Sequence, residues 1–443
     1  MRKPMYPSEI KIHTPHLSRT LSMTEVVLYG LGVIFGAGIY ALVGEAAGIT
    51  GNMVWFSFII AAMVASFTAL SYCELSSIFP KAAAEYNYVR HTFNSDMLGF
   101  MMGWLSVFAA MLAIAAVSLG FAGYFAALFG TPIQLTAIAL IALLSVVNLL
   151  GIKESARLNA VLTAVSVLGL LIIIAIGLPF FGSVDYFATA VPGEPISTAF
   201  NGVVVAAALI FFAFIGFEDI ANISEETVNA RHAIPKAIII ALSIATVIYI
   251  LVSISVVSIV PWQLLAASKA PISLVAGTVL GPAAETIFSF IALFATSSTV
   301  LILLIAVSRL LYGMSEGHTL PLVISRIHRK TKTPFVAIAI SSVLAMLFVL
   351  AGELKHVAFI TNFTVFAMFF MVNLSVIVLR FTKPKQTRPF RIPGSIGSIP
   401  VIPFFGAISC IFMISRVDLT AAIFGTIAIS LSIPAYFLLT KLR

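Results

Sequence analysis

An apolar run from Val26 to about Ala47 is long enough to cross a bilayer, yet Gly30, Gly32, Gly36 and Gly38 all fall inside it. Each glycine in a helix interior costs about 1 kcal/mol against alanine, so a plain spanning helix has no use for them. In hydrocarbon an interrupted helix persists only where its freed amides and carbonyls are buried in protein or face a wet cavity. The stretch Gly30–Ile39, GLGVIFGAGI, therefore predicts a helix broken in mid-membrane, built to hold something small and polar.

The rest of the chain repeats the spanning-length pattern. It is 60% hydrophobic and 9% charged, with a mean hydropathy of +1.11, a balance that no soluble domain of this size has. The apolar runs predict an all-α integral membrane fold of twelve transmembrane helices, at residues 24–47, 53–79, 97–129, 132–150, 157–181, 198–221, 236–260, 283–312, 334–351, 357–380, 400–416 and 419–440. No linker divides them, so residues 1–443 form one membrane domain. With the N-terminus inside, 22 of the 25 Lys and Arg fall on the cytoplasmic side, and only Lys269, Lys355 and Arg416 fall outside. That asymmetry supports the even helix number and predicts a multi-pass protein of the plasma membrane with both termini cytoplasmic. The net charge of +8 is then explained by topology and by anionic lipid heads. Nucleic acid is excluded as a partner, because the basic residues are scattered over seven short segments. The first 20 residues are polar, so span 1 is expected to act as its own insertion signal. Cys73 and Cys410 both fall in or beside spans, which leaves no disulfide framework. Segment 80–96 is amphipathic and is placed at the cytoplasmic face. Segment 261–282 opens outside on the interfacial pair Pro261-Trp262, and 380–399 is a basic cytoplasmic connection.

A second interrupted span follows. Span 6 reads FFAFIGFEDIANISEE, with Gly216 in its middle and Glu218 and Asp219 directly after it. Span 1 opens the first five helices and span 6 opens the next five. Paired broken helices at corresponding positions point to a 5+5 inverted repeat with its site at the midplane. The repeats are placed at 18–181 and 197–380, with two additional helices over 400–440.

These residues resemble the motifs of the amino acid/polyamine/organocation (APC) superfamily. Gly36-Ala37-Gly38-Ile39 is similar to its span 1 signature, and Ser71-Tyr72-Cys73-Glu74-Leu75 through Phe79-Pro80 to its span 2 ending. Phe214-Ile215-Gly216-Phe217-Glu218 resembles its span 6 motif. The run Glu225-Glu226, Asn229, Arg231, Pro235-Lys236-Ala237-Ile238 and the span 8 ending Ser308–Met314 with Leu320-Pro321 follow in order and spacing. The match covers roughly residues 18–380. Two departures stand out. The family has glycines after span 2 where this chain has Ala83-Ala84, and Asn-Pro where this chain has Asn229-Ala230. The resemblance implies a LeuT-like fold with discontinuous spans 1 and 6, and secondary active transport of amino acids by alternating access.

It also implies the site. The substrate carboxylate would sit on the amides of Gly36, Ala37 and Gly38, where a helix start favours an anion. The ammonium would meet the carbonyls of Ile34, Phe212 and Ile215, beside Gly216, with the Phe212 ring lidding the site. The other reading of Gly32, Gly36 and Gly38 is a small-residue packing seam, which Gly44 and Gly48 suit better. The other reading of Phe212 is a lipid-facing ring, common in a chain with 36 phenylalanines. Glu218 is an intramembrane carboxylate, either a proton-coupling group or a brace for the break. Glu25, Glu74, Glu225 and Glu226, near cytoplasmic ends, read as solvated or salt-bridged groups.

Coupling has two candidates besides simple exchange: a proton at Glu218, or sodium in an oxygen cage. By resemblance, the cage would comprise Ser166, Thr296, Ser297 and the carbonyls of Gly32 and Phe35. Those hydroxyls could instead bond back to their own helices. Span 5 carries no basic residue after Arg157, which argues against a titrating Lys there. No cofactor, metal cluster or enzyme motif is expected. A channel would need one continuous lined pore rather than two offset breaks. Span 3 carries Ala109, Ala110, Ala113 and Gly120 and no acid, so neutral substrates are favoured over polyamines or cationic amino acids. The protein is expected as a monomer or homodimer in contact with membrane lipids.

Overall fold

The computed structural model describes residues 21–441 apart from Ala82, Gly151, Pro192, Glu194, Gly317, His318, Arg329, Lys330, Lys332 and Ala351. The start of the first predicted repeat and the basic residues Arg2, Lys3, Lys11, Arg19 and Arg443 lie outside the described residues. Seventeen α-helices follow in order: α1 (Met23–Ile34), α2 (Ala37–Thr50), α3 (Val54–Ile78), α4 (Ala84–Phe93), α5 (Asp96–Phe129), α6 (Ile133–Leu150), α7 (Ile152–Gly177), α8 (Ile196–Ile210), α9 (Asp219–Asn222), α10 (Ala230–Ile259), α11 (Trp262–Ala267), α12 (Pro271–Leu280), α13 (Pro282–Glu316), α14 (Phe335–Val349), α15 (Leu354–Thr382), α16 (Val401–Ile414) and α17 (Leu419–Lys441). A two-residue hairpin, β1 (Ser395–Ile396) and β2 (Ile399–Pro400), precedes α16.

The molecule is an all-α, multi-pass membrane protein. Nine stretches among the described residues are long and apolar enough to cross a bilayer. One of them, Gly38–Ile78, joins α2 to α3 through a 3₁₀ turn. Helices α14 and α16, at 15 and 14 residues, fall short of the expected length of spans 9 and 11. At 1.5 Å per residue they reach only about 22 Å.

Local chemistry sets the helix ends. Ser22 and Glu25 form a reciprocal capping box at the start of α1. Ser95 caps α5, which runs 34 residues to the left-handed Gly130 (φ 66°). Helix α10 starts at Ala230, ahead of the expected 236, because Asn229 takes a left-handed cap (φ 53°) and Ala230 fills the first helical position. That position suits the family's proline, so the departure leaves the helix start in place. Ala83 is less comfortable. It adopts φ 53°, ψ 58°, a conformation that glycine accepts freely and alanine does not. Ala83→Gly should therefore raise thermal stability by about 1 kcal/mol at most, read as the apparent Tm of detergent-purified protein. An unchanged or lower Tm would mean the gain in unfolded-chain entropy outweighs the relieved strain.

Helices α3, α5, α10, α13 and α15 pack together at the centre. Polar side chains tie them: Ser71 of α3 donates to Asn373 Oδ1 of α15 (2.6 Å), and Asn373 Nδ2 donates to Thr68 Oγ1 (2.9 Å). Helices α6 and α17 lie outside. They expose Leu135, Leu143, Leu431 and Leu438, an apolar surface suited to lipid.

Candidate functional site

Both predicted interruptions are present. Helix α1 ends at Ile34 and α2 starts at Ala37, leaving Phe35 and Gly36 outside regular helix. Gly36 N donates to Ile34 O (2.8 Å) across a tight turn. No side chain caps α2, so the amides of its first turn have no partner within the helix. An uncapped helix start is a site for an anion.

The second break is longer than one glycine suggests. The predicted span 198–221 is α-helical only to Ile210. A 3₁₀ turn over Phe211–Phe214 follows, then extended Ile215 (φ −58°, ψ 135°) and Gly216 at φ 119°. A left-handed residue cannot continue a right-handed helix, and only the four-residue α9 resumes beyond it. Glu218 Oε2 accepts from Gly216 N (2.9 Å), replacing the bond that this amide would have made in a helix. This geometry is that of a brace.

Neighbouring side chains satisfy the freed carbonyls. Tyr249 Oη, from α10, stands 2.6 Å from Ile34 O and 3.0 Å from Ala213 O, so one hydroxyl bridges the two breaks. Asn362 Nδ2, from α15, donates to Ala208 O (2.7 Å) and Leu209 O (2.9 Å). The Tyr249 ring is fully buried among Phe35, Phe58 and Phe214. Tyr249→Phe keeps that packing and removes only the bridge. An unpaired buried acceptor costs about 1–3 kcal/mol, so the variant should melt lower and transport at least tenfold more slowly. Wild-type uptake by Tyr249→Phe in proteoliposomes would show the bridge to be dispensable.

Between the breaks lies a cavity of about 20 Å³, room for a single water. Ile34, Gly36, Gly38, Phe212 and Ile215 line it, which brings five of the expected contact residues to one place. Gly216 is outside the lining and packs on Val33. Ala37 begins α2, and its side chain lies outside the described residues. Helices α5 and α13 complete the wall with Ala113, Val117, Thr299 and Leu303. No charged side chain lines the cavity among the described residues. Phe212 is 6% exposed and faces protein, not lipid. The contribution of Thr299 is hidden in sequence because it ends the run Thr296-Ser297-Ser298-Thr299, and nothing in that run says which hydroxyl faces the break.

The glycines also serve close packing. A Cβ on Gly36 would stand 2.5 Å from Thr299 Oγ1, and one on Gly38 would run into Ala213 Cα. Gly44 and Gly48 pack against Leu265 and Ala266 of α11, the seam expected of them.

Of the candidate coupling residues, Ser166 Oγ donates to Leu162 O (2.8 Å) and Thr296 Oγ1 to Ala292 O (2.7 Å). Each hydroxyl bonds back to its own helix, with its lone pairs still open to a cation. Ser297 is partly buried on α13, Gly32 lies in α1, and Phe35 occupies the break. Three carboxyls gather on the other side of the second break: Glu218, Asp219 and Glu85. Tyr72 Oη donates to Glu85 Oε1 (2.8 Å). Burial pushes the Glu85 carboxyl, in α4 between the spans, up to about 7, and the charge of Asp219 adds to the shift.

The profile described as amino acid permease matches residues 21–439. The branched-chain amino acid permease BcaP of Bacillus subtilis (strain 168) is 30% identical over 446 aligned residues, covering 96% of this chain and 94% of that protein. The methylthioribose transporter of the same organism is 30% identical over 99% of this chain and 97% of its own length. The vacuolar cationic amino acid transporter 2 of Arabidopsis thaliana is 29% identical over 90% of this chain and 66% of its own.

Proposed function

The chain belongs to the amino acid permease family of the APC superfamily, and from that premise we propose that it is a secondary active transporter of neutral amino acids working by alternating access. The observation that carries this reading is the cavity between the two breaks, where uncapped amides of α2 face apolar walls and no charged side chain. Free amides suit the carboxylate of an amino acid. The carbonyls of Phe212 and Ile215 suit its ammonium, whereas Ile34 O is already engaged by Gly36 N and Tyr249 Oη, and aliphatic walls suit an uncharged side chain. A cationic side chain or a polyamine would meet no counter-charge there. At about 20 Å³ the cavity is too small for an amino acid, so loading requires the helices around it to separate.

The twelve-span, 5+5 inverted-repeat topology in the plasma membrane with cytoplasmic termini belongs to the same proposal. It is supported by breaks in the first and sixth predicted spans and by the distribution of basic residues. Coupling is to a proton through Glu218, to sodium at the oxygen cage of Gly32, Phe35, Ser166, Thr296 and Ser297, or by exchange.

The test is uptake of labelled neutral amino acids into proteoliposomes holding the purified protein, in sodium and in choline at several pH values. Unlabelled leucine, alanine, arginine, a polyamine and methylthioribose serve as competitors. Neutral amino acids should compete best. Best competition by arginine or the polyamine would reject the neutral pocket. Best competition by methylthioribose would reject an amino acid as the substrate.

A further inference from the structure

A second, polar cavity of about 280 Å³ opens beside the connection between α15 and α16, on the side that the proposed orientation makes cytoplasmic. We propose that it binds a phosphate-bearing anion. Its wall includes Arg380, Arg388 and Arg391, with Gly397 and Ser398 from the β1–β2 turn. Residues 380–400 carry five basic residues and no acid.

The only carboxylate joined to these arginines among the described residues is Glu74 of α3, and it is already saturated. Arg380 Nε and Nη2 reach its two oxygens (2.9 and 2.6 Å), Arg388 Nε reaches Oε1 (3.1 Å), and Ile392 N reaches Oε2 (2.9 Å). One negative charge therefore faces three guanidiniums.

The donors divide unequally. Arg388 directs its remaining N–H groups to the carbonyls of Leu379, Lys383, Pro384 and Gln386, so it contributes charge and a rigid floor. Arg380 is 5% exposed, and its Nη1 makes no hydrogen bond among the described residues. Arg391 is exposed and makes none. Both guanidiniums thus retain donors at a cavity that carries surplus positive charge. Planar guanidinium forks match the paired oxygens of a phosphoryl group, and a phosphate-bearing anion, singly or doubly charged, offsets part or all of the net +2 that Glu74 leaves on the three arginines. Phe381, Ile396 and Ile399, next in sequence to the lining residues Arg380, Gly397 and Ser398, are exposed and apolar, so the head group of an anionic lipid is as good a candidate as a dissolved phosphate ester.

The experiment uses the full-length protein in neutral detergent at fixed ionic strength. Apparent Tm and native mass spectrometry are followed against phosphatidylglycerol, phosphatidylcholine, glycerol phosphate and inorganic phosphate. Wild type, Arg391→Gln and Arg391→Lys are compared, since Arg391 holds no other residue in place. Saturable binding of phosphatidylglycerol or of a soluble phosphate, weakened at least tenfold in Arg391→Gln and partly restored in Arg391→Lys, supports the site. Preference for phosphatidylglycerol over both soluble phosphates identifies the lipid head group as the source, and the reverse identifies a soluble anion. Equal binding by wild type and Arg391→Gln, or no binding above phosphatidylcholine, overturns it.

Discussion

Gly38→Val should reduce uptake to the level of protein-free vesicles. The first Cβ atom at this position would enter the space of Ala213 Cα, so the two broken segments would have to part. Ala213 has little room to retreat, because its carbonyl is held by Tyr249, which also holds Ile34. Overpacking of this kind costs about 1–3 kcal/mol in a core, which a 443-residue membrane protein can survive as a fold. The site cannot survive it as well, since the displaced atoms are the amides and carbonyls proposed to hold the substrate. Gly38→Ala introduces the same Cβ and should share most of the loss. Gly313→Ala, with nothing within 4 Å of the added atom, should transport normally. Monodisperse elution separates lost function from lost folding. Full uptake by Gly38→Ala would show that close approach at Ala213 does not define this position.

The breaks are legible because clustered glycines weaken a spanning helix and give an unbroken one nothing in return. Gly36 and Gly38 mark the first break to within two residues. Gly216 marks the second but not its extent: Phe211–Phe214 carries no breaking residue, and its 3₁₀ turn is imposed by the left-handed Gly216 beyond it and by the Asn362 bonds before it. Tyr249 sits in a mostly apolar stretch, TVIYILV, and Asn362 lies between two threonines, FITNFTV. A single polar group in a span needs a partner, but sequence cannot name a partner 215 positions away. Thr299 is less visible still, since its hydroxyl bonds back to Ala295 of its own helix and only the fold turns the side chain toward Gly36. At Glu74 the sequence leaves a solvated and a salt-bridged end-of-helix group open, and the salt bridge is what the fold supplies.

Glu74→Gln should be the most destabilising conservative change in the chain. The carboxylate is 1% exposed and joins three separate segments: α3, the end of α15, and the basic connection that follows it. A glutamine keeps the size but loses the charge, and its NH₂ must face a guanidinium. Removing one partner of a buried ion pair costs about 3–5 kcal/mol, mostly from the charge left behind. The expected result is a lower apparent Tm and a poor yield of monodisperse protein. Uptake should fall in proportion to the folded fraction, because Glu74 lies outside the cavity between the breaks. The double variant Glu74→Gln, Arg380→Gln removes one stranded cation as well. It should be no less stable than Glu74→Gln alone, although Arg380→Gln by itself destabilises. Additive losses in that cycle would show that the two side chains act independently, and the buried pair would then not be what fastens α15 to α3.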